Sequence, residues 1–141
     1  IYVGGDHRCG CGARGCLETF ASGTGLVRRA HEKGLAVSSV PELVTLASNG
    51  DEKASEVFKV AGAALGRGVS SVINLLSPEE IWIAGGVSSA SQWLEPWLKE
   101  ALKEHAIANG IERVAIKFVG PVEHLAIVGA AALAKKHATS L

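Results

Sequence analysis

Three thiols and a carboxylate fall within one short stretch, Cys9, Cys11, Cys16 and Glu18. Cys9-Gly10-Cys11 followed by four residues and Cys16 brings three soft ligands into one loop, and the glycines at 10, 12 and 15 let the backbone fold sharply enough for the sulfurs to meet. Thiolates in a tetrahedral array favour zinc over harder ions. A closed structural site takes four ligands, and His7 is the only nearby candidate in the chain for the fourth. The plainer reading of the same spacing is three reduced thiols in a surface loop. Glu18 has two readings as well. A carboxylate directly after a rigid metal loop can hold sugar hydroxyls, because it accepts two hydrogen bonds in a fixed plane. It can equally supply negative charge at the start of the following helix. A second feature is Gly85-Gly86 at the end of the apolar run 81–84, where a ligand could lie against bare backbone or the chain could simply turn tightly.

The elements that must position these groups are an alternation of helices and strands. Residues 4–16 carry five glycines and no hydrophobic periodicity, so they form a loop. Ile1 to Val3 read as the end of a strand. Residues 17–33 turn helical, with Gly23 and Gly25 as interruptions and Gly34 as the stop. Pro41 opens a short helix that closes near Asn49-Gly50. Ala54, Val57, Phe58, Ala61, Ala64, Leu65, Val69, Val72, Ile73 and Leu76 recur at steps of three and four, which predicts a long amphipathic helix ending before Pro78. Gly62, Gly66 and Gly68 inside it predict close packing of another backbone, since each costs about 1 kcal/mol against alanine. Residues 80–84 read as a short buried strand, 113–119 as another, with a helix between them starting near Glu95 because of Pro96. Leu125 to Lys136 form a last helix. Strands alternating with such helices imply an α/β layer with right-handed crossovers, and two strands are too few to cover these helices.

Composition narrows the function classes. The 141 residues are 48% hydrophobic and 20% charged, as in a globular domain with a core. Fourteen basic residues balance fourteen acidic ones, so no basic excess exists to bind a phosphate backbone through this region. No apolar run approaches the roughly 20 residues of a membrane span. An odd, tight cysteine cluster without an export signal points to metal binding in a reducing cytoplasm, with reactive thiols as the lesser alternative. The chain starts at Ile1 and contains no methionine, as a piece of a longer protein or a processed chain would.

Residues 9–18, CGCGARGCLE, resemble the C-x-C-G-x-x-G-C-x-E signature of the ROK family, which takes in bacterial sugar kinases and sugar-responsive repressors. FASG downstream is similar to the segment that follows the signature. IWIAGGV resembles the adenosine-contacting motif of the actin-like ATPase fold, and GAALGRGVSSVINLLSP and AIVGAAALA resemble family helices. The resemblance implies an α/β fold, the carboxy-terminal portion of an actin-like ATPase (ribonuclease H-like) fold with an incomplete sheet, long helices and a zinc loop. It implies one domain over 1–141, with the zinc loop at 1–18 and the α/β body at 19–141. Cys9, Cys11 and Cys16 would be zinc ligands. The family's fourth ligand, a histidine in a Glu-x-Gly-His motif, would fall just ahead of Ile1, and His7 does not match it. Glu18 would contact the sugar, and Gly85 and Gly86 the nucleotide.

The implied activity is ATP-dependent phosphorylation of a hexose or N-acetylhexosamine, glucokinase-like, with Mg2+ and a structural Zn2+, in a cytoplasmic homodimer. No catalytic residue lies in this chain. The family's aspartate base and glycine-rich phosphate loops are absent from it, and Gly23-Thr24-Gly25 follows the cysteine signature and is not such a loop. A chain without them is expected to be inactive alone. The alternative is the sugar-sensing domain of a ROK-type transcriptional repressor. A small independent zinc-binding interaction module is a third reading. Trp82, Trp93 and Trp97 read as core or interface packing, His31, His105 and His137 as residues near helix ends, and Arg28 and Arg29 as a solvated helix face.

Overall fold

The computed structural model describes residues 1–120 and 125–138. Its elements are α1 (Glu18–Ala21), α2 (Gly23–Glu32), α3 (Val40–Ser48), α4 (Glu52–Leu76), β1 (Glu80–Ile83), a 3-10 turn (Gly86–Ala90), α5 (Ser91–His105), α6 (Ala108–Ile111), β2 (Ala115–Phe118) and α7 (Leu125–Ala138).

The central element is α4, of 25 residues. Asp51 caps its start, Oδ1 accepting from the Ala54 N–H at 2.9 Å. Its end is set by Ser77 at φ 45, followed by Pro78. One side of α4 packs against α5 without room for a side chain. A Cβ on Gly62 would fall 2.5 Å from the Leu94 carbonyl oxygen, and one on Gly66 would fall 2.6 Å from Ala101 Cβ. The close backbone approach expected from the sequence is therefore present, and it is α5 that approaches. Around this contact Leu26, Leu43, Val57, Phe58, Ala61 and Leu94 form one core cluster joining α2, α3, α4 and α5.

A second cluster, Leu65, Val69, Ile73, Leu98 and Leu102, receives Ile81, Ile83, Ile116 and Phe118 from the sheet. Among the described residues that sheet has two strands, β1 and β2, parallel, with Trp82 opposite Lys117. Parallel pairing requires a crossover, and α5 with α6 supplies it. Strand β1 differs from the buried strand expected, since its residues, like those of β2, alternate between exposed and half-buried. The outer face carries Glu80, Trp82 and Lys117, and Trp82 is 58% exposed. Trp82 therefore lies outside the core, which leaves the interface alternative read in the sequence, and its Nε1 donates to Glu80 Oε2 at 2.8 Å. Trp93 does pack, stacked on Phe58 at 6.0 Å.

Three boundaries also differ from expectation. Ile1 to Val3 form no strand; Tyr2 makes only an isolated bridge with Cys16. Helix α5 starts at Ser91, so Pro96 lies inside it. The carbonyl left without a helical partner by that proline belongs to Gln92, which is solvent-exposed, so water can satisfy it. His137 has no described side chain. No helix among the described residues is long and apolar enough to cross a membrane.

Gly66→Ala forces a methyl into Ala101 and lowers unfolding stability by about 1–3 kcal/mol, whereas Gly129→Ala, with no heavy atom of the described residues near its Cβ, raises it by up to about 1 kcal/mol. Urea unfolding of both variants measures the contrast. At the start of α3, Glu42 accepts from Ser38 N at 2.8 Å, Ser38 Oγ at 2.7 Å and Ser39 Oγ at 3.1 Å. These bonds, the Ser38 backbone first, hold its carboxyl below the ordinary carboxylate range. The stabilisation is therefore present above the ordinary pKa and is lost as pH falls through the lower folded-state value. Glu42→Gln should flatten that part of the acid unfolding profile.

Candidate functional site

The cysteine loop has almost no core of its own and is tied by backbone bonds. Val3 N–H donates to Gly15 O at 2.8 Å, Gly15 N–H to His7 O at 3.0 Å and Leu17 N–H to Ile1 O at 2.9 Å. Inside it, Cys9 N–H donates to Ala13 O at 2.8 Å, folding 9–13 into a tight turn. Gly15 sits at φ 67, and a Cβ there would lie 2.6 Å from Gly5 O and 2.7 Å from Gly4 O, so no other residue fits. The loop is anchored below by Val3 and Phe20, which pack with Ala64 of α4.

This folding brings the three sulfurs together, all within 4.8 Å of one another. Cys11 and Cys16 Sγ are 3.7 Å apart. A tetrahedral site with metal–sulfur bonds of about 2.3 Å separates its sulfurs by about 3.8 Å, so the trio has the dimensions to hold a soft metal ion. Cys9 is 6% exposed and its Sγ donates to Glu18 Oε2 at 3.2 Å. The Cys11 N–H favours the Cys9 thiolate, but the bonds to Glu18 and the other thiols, with burial, outweigh it and push Cys9 up to about 11. Cys11 is lowered instead, by the Ala13 N–H first and then by its two thiol neighbours. His7 turns away from the sulfurs. Its ring meets Phe20 edge-on at 6.3 Å, and Nδ1 lies 3.9 Å from Glu32 Oε1. Among the described residues no fourth ligand joins the three cysteines.

Glu18 opens α1 and is exposed on the wall of a cleft of about 350 Å3. Arg8, Cys9 and Gly10 line one side, and Thr19, Ser22, Thr24, Gly25 and Arg28 the other. The cleft exists because Ser22, at ψ 161, breaks the helix expected over 17–33 into α1 and α2. Ser22 Oγ accepts from Gly25 N–H at 3.0 Å and caps α2. Gly25 lets α2 start against α1, since a Cβ there would be 2.8 Å from Thr19 O. Arg28 differs from the solvated role expected of it: its guanidinium donates to Thr19 O and pairs with Glu32 at 3.4 Å. Arg29 lies over the Phe20 ring at 4.7 Å, where burial lowers its pKa. Ser22, Thr24 and Arg28 were not singled out as cleft residues from sequence. The signal available was the Ser-Gly-Thr-Gly break directly after Glu18.

Gly85 and Gly86 follow β1, away from the cysteine loop in the chain. Gly85 is at φ 101, which requires glycine; Gly86 is not so constrained. Among the described residues, a Cβ on either would meet nothing within 4 Å.

Comparison with known proteins decides the family. The sequence profile of the ROK family matches residues 2–137. This chain belongs to the ROK family. Among ROK relatives, it is 30% identical over 139 residues to the DNA-binding transcriptional dual regulator NagC of Escherichia coli K12, covering 92% of this chain and 34% of that protein. It is 35% identical over 126 residues to a glucokinase of Halalkalibacterium halodurans, covering 79% of this chain and 37% of that protein. A crystal structure of a ROK glucokinase from Streptomyces griseus in complex with glucose and AMPPNP matches with a TM-score of 0.65 and 25% identity, over 85% of this chain and 44% of that one. The chain thus spans between 34% and 44% of the length of these relatives. Its α/β body with a small, incomplete sheet has the actin-like ATPase fold of ROK sugar kinases.

The geometry of the sulfurs makes a prediction for metal uptake. Titrating the reduced protein with Co2+ should produce thiolate-to-metal charge-transfer absorbance, and Cys11→Ser should remove most of it. Because Cys9 is pushed up to about 11, binding at neutral pH displaces its proton, and affinity should rise by about tenfold per pH unit for each proton released.

Proposed function

We propose that this chain is the carboxy-terminal part of an ATP-dependent kinase for a hexose or N-acetylhexosamine, cytoplasmic and homodimeric. The observation that carries the reading is the placement of Glu18. Its carboxylate stands on the wall of a polar cleft and is braced by a hydrogen bond to a cysteine of the metal loop. A braced carboxylate can accept two sugar hydroxyls with little loss of side-chain freedom. The 35% identity to a glucokinase supports the same reading.

In this reading Cys9, Cys11 and Cys16 hold Zn2+, which supplies a structural cross-link and no chemistry of its own. Gly85 and Gly86 form the nucleotide contact, with bare backbone at the carboxyl end of β1 open to an adenosine. ATP and Mg2+ complete the site in the full-length protein. Phosphoryl transfer depends on positioning and on charge stabilisation at the transferred group. This chain contributes the sugar-positioning part of that work, and a base and phosphate loops must come from elsewhere in the protein.

A second reading is favoured by the NagC relative, whose match covers 92% of this chain: the same cleft would sense a sugar in a transcriptional repressor. One assay separates the two. The full-length protein is tested for ATP-dependent phosphorylation of glucose, fructose, mannose, N-acetylglucosamine and N-acetylmannosamine. Turnover is expected with at least one, and Glu18→Ala should lower kcat/KM by about 10- to 100-fold through loss of charge-assisted hydrogen bonds. No turnover with any sugar, together with sugar-dependent release from DNA, would replace the kinase by the repressor.

A further inference from the structure

The three sulfurs of the cysteine loop are close together but not equivalent. Cys9 is 6% exposed, and its thiol already donates to Glu18 Oε2 at 3.2 Å. Cys16 is half-buried and is held from two sides: it bridges Tyr2, and its carbonyl accepts from Thr19 Oγ1 at 2.7 Å. Cys11 is exposed, at the tip of the turn whose base is closed by Cys9 N–H to Ala13 O and Gly12 N–H to Cys9 O. Among the described residues, a Cβ on Gly10 or Gly12 would meet nothing within 4 Å, so no packing holds the tip at those positions. Cys11 Sγ lies 3.7 Å from Cys16 Sγ, and a disulfide needs about 2.0 Å. A small movement of the exposed tip towards the anchored Cys16 closes that gap. Cys9 is the poorer partner for Cys11, because their bond would span a single residue and strain the chain.

We propose that Cys11 and Cys16 are a site of reversible oxidation by hydroperoxides, and that their disulfide and a bound metal ion exclude one another. The hydroperoxide meets the exposed Cys11 first. Its outer oxygen bonds to the sulfur, the O–O bond breaks, and an alcohol (water, from hydrogen peroxide) leaves with the thiol proton. The Cys16 sulfur then bonds to Cys11, the new S–O bond breaks, and the oxygen departs as water with the Cys16 proton. The two thiols have together given two electrons to the peroxide, and Cys9 keeps its thiol and its bond to Glu18. This product withdraws two of the three sulfur ligands, and the single thiol left cannot build a closed tetrahedral site. The loop then carries one cross-link in place of another. The exclusion rests on the metal-holding reading above, whereas the disulfide rests on the sulfur geometry alone.

The test oxidises the reduced, metal-free full-length protein with hydrogen peroxide, alkylates the remaining thiols and maps the peptides. Trypsin cuts after Arg8, Arg14 and Arg28, so a Cys11–Cys16 bond joins peptides 9–14 and 15–28 and leaves the alkyl group on Cys9. Cys9→Ser should form the same cross-link, and Cys11→Ser should lose it. The oxidised wild type should show no thiolate-to-Co2+ charge-transfer band until dithiothreitol restores it in full. A cross-link through Cys9, equal rates of cross-linking in wild type and Cys11→Ser, or sulfinic and sulfonic acids without a disulfide overturns the proposal. Oxidised protein that still takes up Co2+ overturns the exclusion. Reduced protein that takes up no Co2+ overturns the exclusion together with the metal-holding reading, and the peptide map then decides the disulfide by itself.

Discussion

The contact on which the rest of the chain depends is the approach of α5 to α4 at Gly62 and Gly66, where side-chain-free backbone meets Leu94 and Leu98 carbonyl oxygens. That closeness lets Leu98 and Leu102 reach Leu65, Val69 and Ile73, and the combined surface then seats the inner face of the two-stranded sheet. The same helix positions the cysteine loop. Gly68 leaves room for Leu17, since a Cβ there would lie 2.8 Å from Leu17 Cδ2. Arg67 Nε donates to Val3 O at 3.0 Å, and Ala64 packs with Val3 and Phe20. Leu17 directly precedes Glu18, so one helix sets both the sheet and the height of the carboxylate at its cleft.

The cysteine loop obeys a different economy. It buries few apolar groups, and its backbone bonds close only short circuits. A loop of this kind keeps a fixed shape when a cross-link joins points that packing cannot, which is what three converging thiols can provide. The hydrogen bond from Cys9 to Glu18 ties the loop to the carboxylate, and it helps to push the Cys9 thiol up.

Long, strongly periodic segments were legible in the sequence. Helix α4 and its glycine notches, the Gly34 and Asn49-Gly50 stops, and the convergence of Cys9, Cys11 and Cys16 all follow from local spacing, and the structure contains them. The remainder depends on tertiary partners. The start of α5 at Ser91 overrides the proline at 96, because Leu94 is anchored in the core on the first turn. The exposure of Trp82 depends on which elements cover the sheet, which an apolar pattern cannot state. Arg29 looks solvated in a pattern of charges, yet it stacks on Phe20, from an earlier element. The cleft walls at Ser22, Thr24 and Arg28 arise from a helix break only one residue long.

The most direct measurement is a crystal structure of the full-length protein with zinc and a bound sugar. The Glu18 carboxylate should lie within hydrogen-bond distance of two sugar hydroxyls, with the metal on Cys9, Cys11 and Cys16. A sugar well ordered elsewhere, with Glu18 facing solvent and the three sulfurs apart, would contradict the proposal that Glu18, braced by the cysteine loop, holds the sugar.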